Sequence, residues 1–216
     1  MLKKSVLFLL VIGFMLVGCS KPSEEYLLGN AILTESFNEP KSWEYYDDVD
    51  AGSRLEVLDG AYQIQAGSGG YIWGLNEQNH GDVVMEVNTN QLSEFEDNAY
   101  GVICRADESN NGDGYYFLIS GDGFYSIAIG AGDSVDPIVE WTTSSAINKG
   151  SDRNMMRAVC IGDYLALYVN DKFVVDTRDN TFSSGYAGFV ANVNDGGDIT
   201  VAFDDLTIWE ASLASE

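Results

Sequence analysis

The sequence predicts an all-β chain folded as a two-sheet antiparallel β-sandwich, and three observations carry this. From residue 32 onward, apolar residues alternate or cluster in short runs rich in Val, Ile, Tyr and Phe. Almost nowhere do they hold the three- and four-residue spacing of a helix for three turns, so little helix is expected. Gly, Asn and Asp punctuate these runs at even intervals, in places where a turn must tolerate positive φ. Finally, 216 residues with a single composition regime and no internal repeat fit one domain with one core.

In chain order the predicted strands are 32–37, 54–58, 61–65, 70–73, 81–87, 99–106, 114–120, 124–130, 138–141, 154–161, 164–169, 172–176, 186–193 and 200–209. Four turns define hairpins between them: Leu58-Asp59-Gly60-Ala61, Ser120-Gly121-Asp122-Gly123, Ile161-Gly162-Asp163-Tyr164 and Val169-Asn170-Asp171-Lys172. In each, residues that accept a left-handed backbone join two β-rich flanks.

The first nineteen residues read as an address. Lys3 and Lys4 precede an apolar run over 5–17, too short and too asymmetrically flanked for a membrane span. The run ends in Leu16-Val17-Gly18-Cys19, which resembles the bacterial lipobox. That resemblance implies cleavage before Cys19 and acylation of its thiol. Two or three acyl chains suffice for stable anchoring, so the expected location is the bacterial cell envelope, on the extracytoplasmic side of a membrane. Residues 20–30, with Lys21, Pro22, Glu24 and Glu25, are expected to form a mobile polar tether. The domain is then 31–210 and the tail 211–216.

Charge excludes one class of partner. Eleven Lys and Arg stand against 34 Asp and Glu, for −23 overall. Loss of Lys3 and Lys4 with the leader takes it to −25, two units further. A surface of this sign repels nucleic acid, and it is expected to hold the globule off an anionic bilayer. One histidine, His80, leaves a single candidate base for any Ser-His or Cys-His mechanism and excludes multi-histidine metal sites. Cys104 and Cys160 remain after lipidation, and an even pair outside the cytoplasm favours a disulfide.

Several segments in order over 32–209 resemble the concanavalin A-like jelly rolls of bacterial surface lipoproteins, in particular the group related to the 3-keto-disaccharide hydrolase or family-16-like domain. They are Phe37-Asn38-Glu39-Pro40-Lys41-Ser42-Trp43, Val57-Leu58-Asp59-Gly60-Ala61-Tyr62 and Tyr100-Gly101-Val102-Ile103-Cys104-Arg105. Gly114-Tyr115-Tyr116-Phe117-Leu118-Ile119, Leu165-Ala166-Leu167-Tyr168-Val169-Asn170 and Val201-Ala202-Phe203-Asp204-Asp205-Leu206 complete the set. The resemblance implies a jelly-roll fold; such folds host glycan-binding modules, glycosidases and structural domains alike.

Glycoside hydrolysis requires a carboxylate pair at chemistry distance. The Glu-x-Asp-x-x-Glu strand pattern of family-16 glycosidases is absent; Glu86 is the one acid on its predicted strand, and Glu94, Glu96 and Asp97 fall in a loop. Residues 107–113 begin like an EF-hand loop, but Leu118 occupies the twelfth position, where a bidentate Glu is required. For a structural calcium, which the resemblance allows in the terminal strand, the candidates are Asp204 and Asp205, with Glu35 and Asn38 on the partner strand. Carbohydrate recognition needs aromatic rings to stack on sugar C–H faces and a few fixed polar groups. Tyr71, Trp73, Tyr115, Tyr116, Tyr125 and Trp141 supply rings and Arg105 a planar donor, whereas Trp43 and Trp209 are expected in the core. The leading expectation is a non-catalytic module binding a neutral carbohydrate. The alternatives are a glycoside hydrolase acting on (3-keto-)disaccharides and a structural or adhesion domain.

Overall fold

A computed structural model describes residues 21–39, 43–67, 70–132, 134–193 and 197–214. The expected leader, Cys19 and the Pro40-Lys41-Ser42 part of the first matching segment lie outside the described residues. The first strands are β1 (Tyr26–Glu35), β2 (Tyr46–Asp48), β3 (Ser53–Leu58), β4 (Ala61–Ala66) and β5 (Gly70–His80). They are followed by β6 (Val83–Gln91), β7 (Asn98–Ala106), β8 (Gly114–Ile119), β9 (Phe124–Ala131) and β10 (Ser134–Thr143). The last are β11 (Asn154–Ile161), β12 (Tyr164–Val169), β13 (Lys172–Arg178), β14 (Gly185–Val193) and β15 (Ile199–Leu213). Among the described residues there is no helix.

The strands form two antiparallel sheets. One runs β13-β12-β11-β6-β15-β4-β3-β2, with β1 also paired to β15; the other runs β10-β9-β8-β7-β14-β5. Period-two alternation sends Met85 and Val87 of β6, Tyr100 and Val102 of β7, Phe117 of β8 and Phe189 of β14 into one buried core. Phe189 stacks on Phe203 of β15 at 4.4 Å and on Trp43 at 4.7 Å, tying the two sheets together. Gly74 of β5 is required by this packing, since a Cβ there would sit 1.9 Å from the Tyr62 hydroxyl. Cys104 of β7 and Cys160 of β11 form the expected disulfide across the sandwich.

A bulge at Asp204 and Asp205, where Asp205 has φ 53°, divides β15. Its first half pairs with β4 and its second half with β1, because the extra residue re-aims the strand. The structure departs from the expected tether here. Strand β1 begins at Tyr26 rather than residue 32, and the residues before it are docked: the Ser23 amide donates to Asp176 at 2.6 Å, Glu24 pairs with Arg178, and the Glu25 carbonyl accepts the Ala214 amide at 2.8 Å. An exposed strand with no inward stripe does not show alternation, so the sequence pattern misses it. Residues 211–213, read as tail, extend β15. Trp209 packs in a second cluster on the outer face of the larger sheet, with Val84, Val159 and Tyr164. Strand β10 includes Pro137, which an edge strand tolerates.

The disulfide closes a separation of 56 residues, worth about 4 kcal/mol on loop-entropy grounds. Replacing both cysteines by Ala is expected to lower unfolding stability by about 2–4 kcal/mol, read from the denaturant midpoint. The intact wild-type chain should weigh two hydrogens less than the reduced one.

Candidate functional site

The outward side chains of the six-stranded sheet build the candidate site. Because Tyr100, Val102 and Cys104 of β7 point inward, Ile103 points out. By the same alternation Tyr116 and Leu118 of β8, Val190 of β14, and Tyr71, Trp73 and Leu75 of β5 share that outer face. The β7–β8 loop, 107–113, then folds over part of it. Trp73 Nε1 donates to Asn110 Oδ1 at 2.6 Å, Asn110 Nδ2 donates to the Glu44 carboxylate at 3.3 Å, and the Tyr116 hydroxyl donates to the Gly112 carbonyl at 2.6 Å. Gly112, at φ +88°, lies against the Trp73 ring, where a Cβ would come within 3.0 Å. The Ser109 hydroxyl and amide both donate to Asp107, and these bonds hold its carboxyl below the usual carboxylate range.

What this loop leaves open is a hollow of about 270 Å³ flanked by Tyr71 and Trp141, with Ala99 and Phe124 also in its lining. Tyr71 lies on β5 and Trp141 on β10, the two opposite edges of the sheet. Trp141 is 38% exposed, with its ring available to solvent. Asn98, Ser120, Asp122 and Asn192 line the same hollow. Asn98 is anchored, its Nδ2 donating to Gln91 Oε1 at 3.1 Å and its Oδ1 accepting the Gly121 amide at 3.1 Å. The Ser120 hydroxyl donates to Asp122. Burial raises the Tyr71 hydroxyl pKa, against a smaller lowering by its hydrogen bond to Asn192. A second hollow of about 280 Å³ is also lined by Tyr71, with Trp73, Tyr46 and Glu44 on its walls.

The expected binding set divides on this geometry. Tyr71, Trp73 and Trp141 reach the hollows. Tyr115 and Tyr116 are fully buried, contrary to expectation: Tyr115 faces the core with its hydroxyl on Asp179 at 2.5 Å, and Tyr116 lies beneath Tyr71 and the loop. Tyr125 packs against the core. Arg105, 1% exposed and at φ 54°, is a clamp rather than a ligand donor. Its guanidinium donates to the carbonyls of Gly162 at 2.7 Å and Phe182 at 2.9 Å and to Asp82 Oδ1 at 3.0 Å. Burial lowers its pKa, against the opposing pull of Asp82.

Glu86 is also removed from the site. It lies on the larger sheet directly opposite Arg157 of β11, whose Nε is 2.7 Å from its Oε2. The four central strands of the six-stranded sheet, β9, β8, β7 and β14, carry no Asp or Glu. The residues named for calcium are engaged locally. Asp205 accepts from Asn88 at 3.2 Å, Asp204 from the Asp205 amide at 2.7 Å and Glu35 from the Phe37 amide at 2.9 Å; Asn38 donates to Ser36 Oγ at 2.9 Å. Among the described residues no group of three or more His, Cys, Asp or Glu is arranged to hold a metal ion. Asn98, Asp122 and Asn192 were not singled out from sequence. Their turn-flanking or strand-end positions are those of ordinary loop residues.

No family model matches the sequence, and no curated protein matches it. The fold has known counterparts. Carbohydrate binding module CBM66 from Bacillus subtilis superposes with TM-score 0.62 at 18% identity, covering 78% of this chain and 95% of that one. A prokaryotic β-1,3-1,4-glucanase (lichenase) derived from a mouse hindgut metagenome gives 0.61 at 11% identity, covering 86% and 99%. A protein of unknown function with a galectin-like fold from Bacillus subtilis gives 0.59 at 10%, covering 86% and 98%. The chain is thus an all-β jelly-roll sandwich of the architecture shared by carbohydrate-binding modules and glycosidases.

His80, at the end of β5, is buried, which lowers its pKa from 6.5. The neutral ring is favoured in the folded state, so the unfolded chain binds the proton first as pH falls below about 6.5. Stability should therefore decline below that pH, and His80→Gln should remove this part of the decline. With one imidazole in the chain, its NMR titration should show a midpoint under 6.5.

Proposed function

We propose that this protein is a lipid-anchored, non-catalytic module of the bacterial cell envelope that binds a neutral carbohydrate in the hollow between Tyr71 and Trp141. The observation that carries the reading is the convergence of two rings, from opposite edges of one sheet, on a hollow whose polar lining is two amides, a hydroxyl and two loop carboxylates. Rings supply apolar faces for pyranose C–H groups, and fixed amides read hydroxyls. Support for the absence of catalysis comes from the acid-free central strands and from Glu86, which is held by Arg157. The net charge of −23 disfavours anionic glycans and nucleic acid. Support for the anchor is the lipobox-like ending at Cys19.

Binding of neutral glucans, fructans and galactans to the full-length protein, measured by calorimetry, tests this. Trp141→Ala and Tyr71→Ala are each expected to weaken binding by roughly 1–3 kcal/mol, or about 5- to 150-fold. Wild-type affinity should be nearly the same at low and high salt, because the ligand carries no charge. Variants that bind like wild type, or a preference for polygalacturonate at low salt, would place the ligand elsewhere.

One observation favours a hydrolase as the second reading: Asp97 and Asp122 both line the hollow. We expect no sugar release from glycosidic or 3-keto-disaccharide substrates. Turnover that is abolished by Asp122→Asn would establish the hydrolase instead.

A further inference from the structure

The N-terminal approach to the domain leaves little free chain. The Ser23 amide is fixed on Asp176 of β13, Glu24 on Arg178 of the same strand, and the Glu25 carbonyl on Ala214 beyond the end of β15. Only four residue steps separate Cys19 from Ser23, a reach of about 14 Å when fully extended. The headgroup layer takes up about 5–7 Å of that reach. The remainder is about one Debye length at physiological salt. A domain anchored this way cannot float clear of the surface.

Next to this pinned segment lies an unusual stretch of surface. Residues 27–32, Leu-Leu-Gly-Asn-Ala-Ile, are exposed without interruption, and none carries a charge, although the chain as a whole carries 34 acids. Leu27 is 60% exposed, Leu28 51% and Ile32 39%. They lie on β1, whose sole strand partner among the described residues is β15, so among those residues its other edge is unpaired. An uncharged apolar edge is a liability on a soluble domain unless something covers it. Elsewhere the acidic surface opposes contact with an anionic membrane.

We infer that the open edge of β1, through Leu27, Leu28 and Ile32, rests on the lipid surface to which Cys19 is attached, and so fixes the attitude of the sandwich on the bilayer. This rests on the reading of Cys19 as the anchor. The bilayer is favoured over a second copy because the docked residues 23–25 bring the anchor to within a few residues of the patch.

The test uses the full chain, made with its leader, purified in detergent and reconstituted into phosphatidylcholine vesicles. With Cys19 acylated and Cys104 bonded to Cys160, a thiol introduced by Leu28→Cys is the sole reactive one, and it is labelled with a nitroxide. The label at position 28 should be several-fold less accessible to a water-soluble nickel chelate than the same label placed by Glu140→Cys on β10. With a label at Ile32→Cys, the added pair Leu27→Asp and Leu28→Asp should abolish the shielding while acylation persists. Equal accessibility at 28 and 140 in protein whose Cys19 is acylated by mass would overturn the inference and leave the glycan reading intact. An unmodified Cys19 would overturn the inference together with the anchor. Dipolar broadening between labels at 28 would assign the edge to a second copy and equally overturn it.

Discussion

Phe189 is stacked against both Phe203 and Trp43, within 4.4 and 4.7 Å, and the rest of the molecule is arranged around that contact. It joins β14 of the smaller sheet to β15 of the larger one and brings the 43–44 segment against the sandwich. Once Phe189 points inward, strand periodicity obliges Val190 and Asn192 to face out. Asn192 then accepts the Gly70 amide and holds the Tyr71 hydroxyl, so one wall of the hollow follows from a core contact. The same inward set places Glu44 where Asn110 can reach it, and with Asn110 the loop that covers Trp73.

Polar order in this structure serves architecture more than chemistry. Arg105 gathers the β11–β12 turn, the loop before β14 and Asp82 ahead of β6 onto one guanidinium, so removing the side chain would leave the part-buried carbonyls of Gly162 and Phe182 without this donor. The exposed pairs of Arg178 with Glu24 and Asp163, and of Arg54 with Asp47, contribute little individually in water. Their value lies in position, since Arg178 pins the N-terminal segment to β13. Tyr100, buried between the sheets, has its hydroxyl pushed up to about 12 by desolvation, against the pull of Asn154 and Thr89. None of these groups lines the hollow, whose walls carry rings, amides, a hydroxyl and the carboxylates of Asp97 and Asp122.

A jelly roll can place acids on its central strands or leave them bare, and the difference separates bond breaking from binding. Here β7, β8, β9 and β14 carry no Asp or Glu, and the carboxylates that line the hollow come from loops. Floors of that kind provide shape and stacking surface. Glycoside hydrolysis asks in addition for two carboxyl groups set across a glycosidic oxygen, and the acids that line this hollow, Asp97 and Asp122, lie outside those strands.

The sequence by itself determined the two-sheet β class, most strand positions, the cysteine pair and the aromatic stock from which a site could be made. Alternation and turn chemistry are local properties, visible within ten residues. It did not determine which rings are free. Tyr115 and Tyr116 are neighbours, yet one turns to the core and the other lies under Tyr71, while Trp141 on an exposed edge remains open. Nor could local pattern tell that Arg105 would be consumed by the carbonyls of Gly162 and Phe182, or Glu86 by Arg157, because those partners arrive from distant strands. Tyr71 and Trp141 lie on opposite edge strands of a sheet, far apart in sequence, and yet line one hollow. Exposure and convergence belong to the packing of whole sheets, and only the tertiary structure decides them.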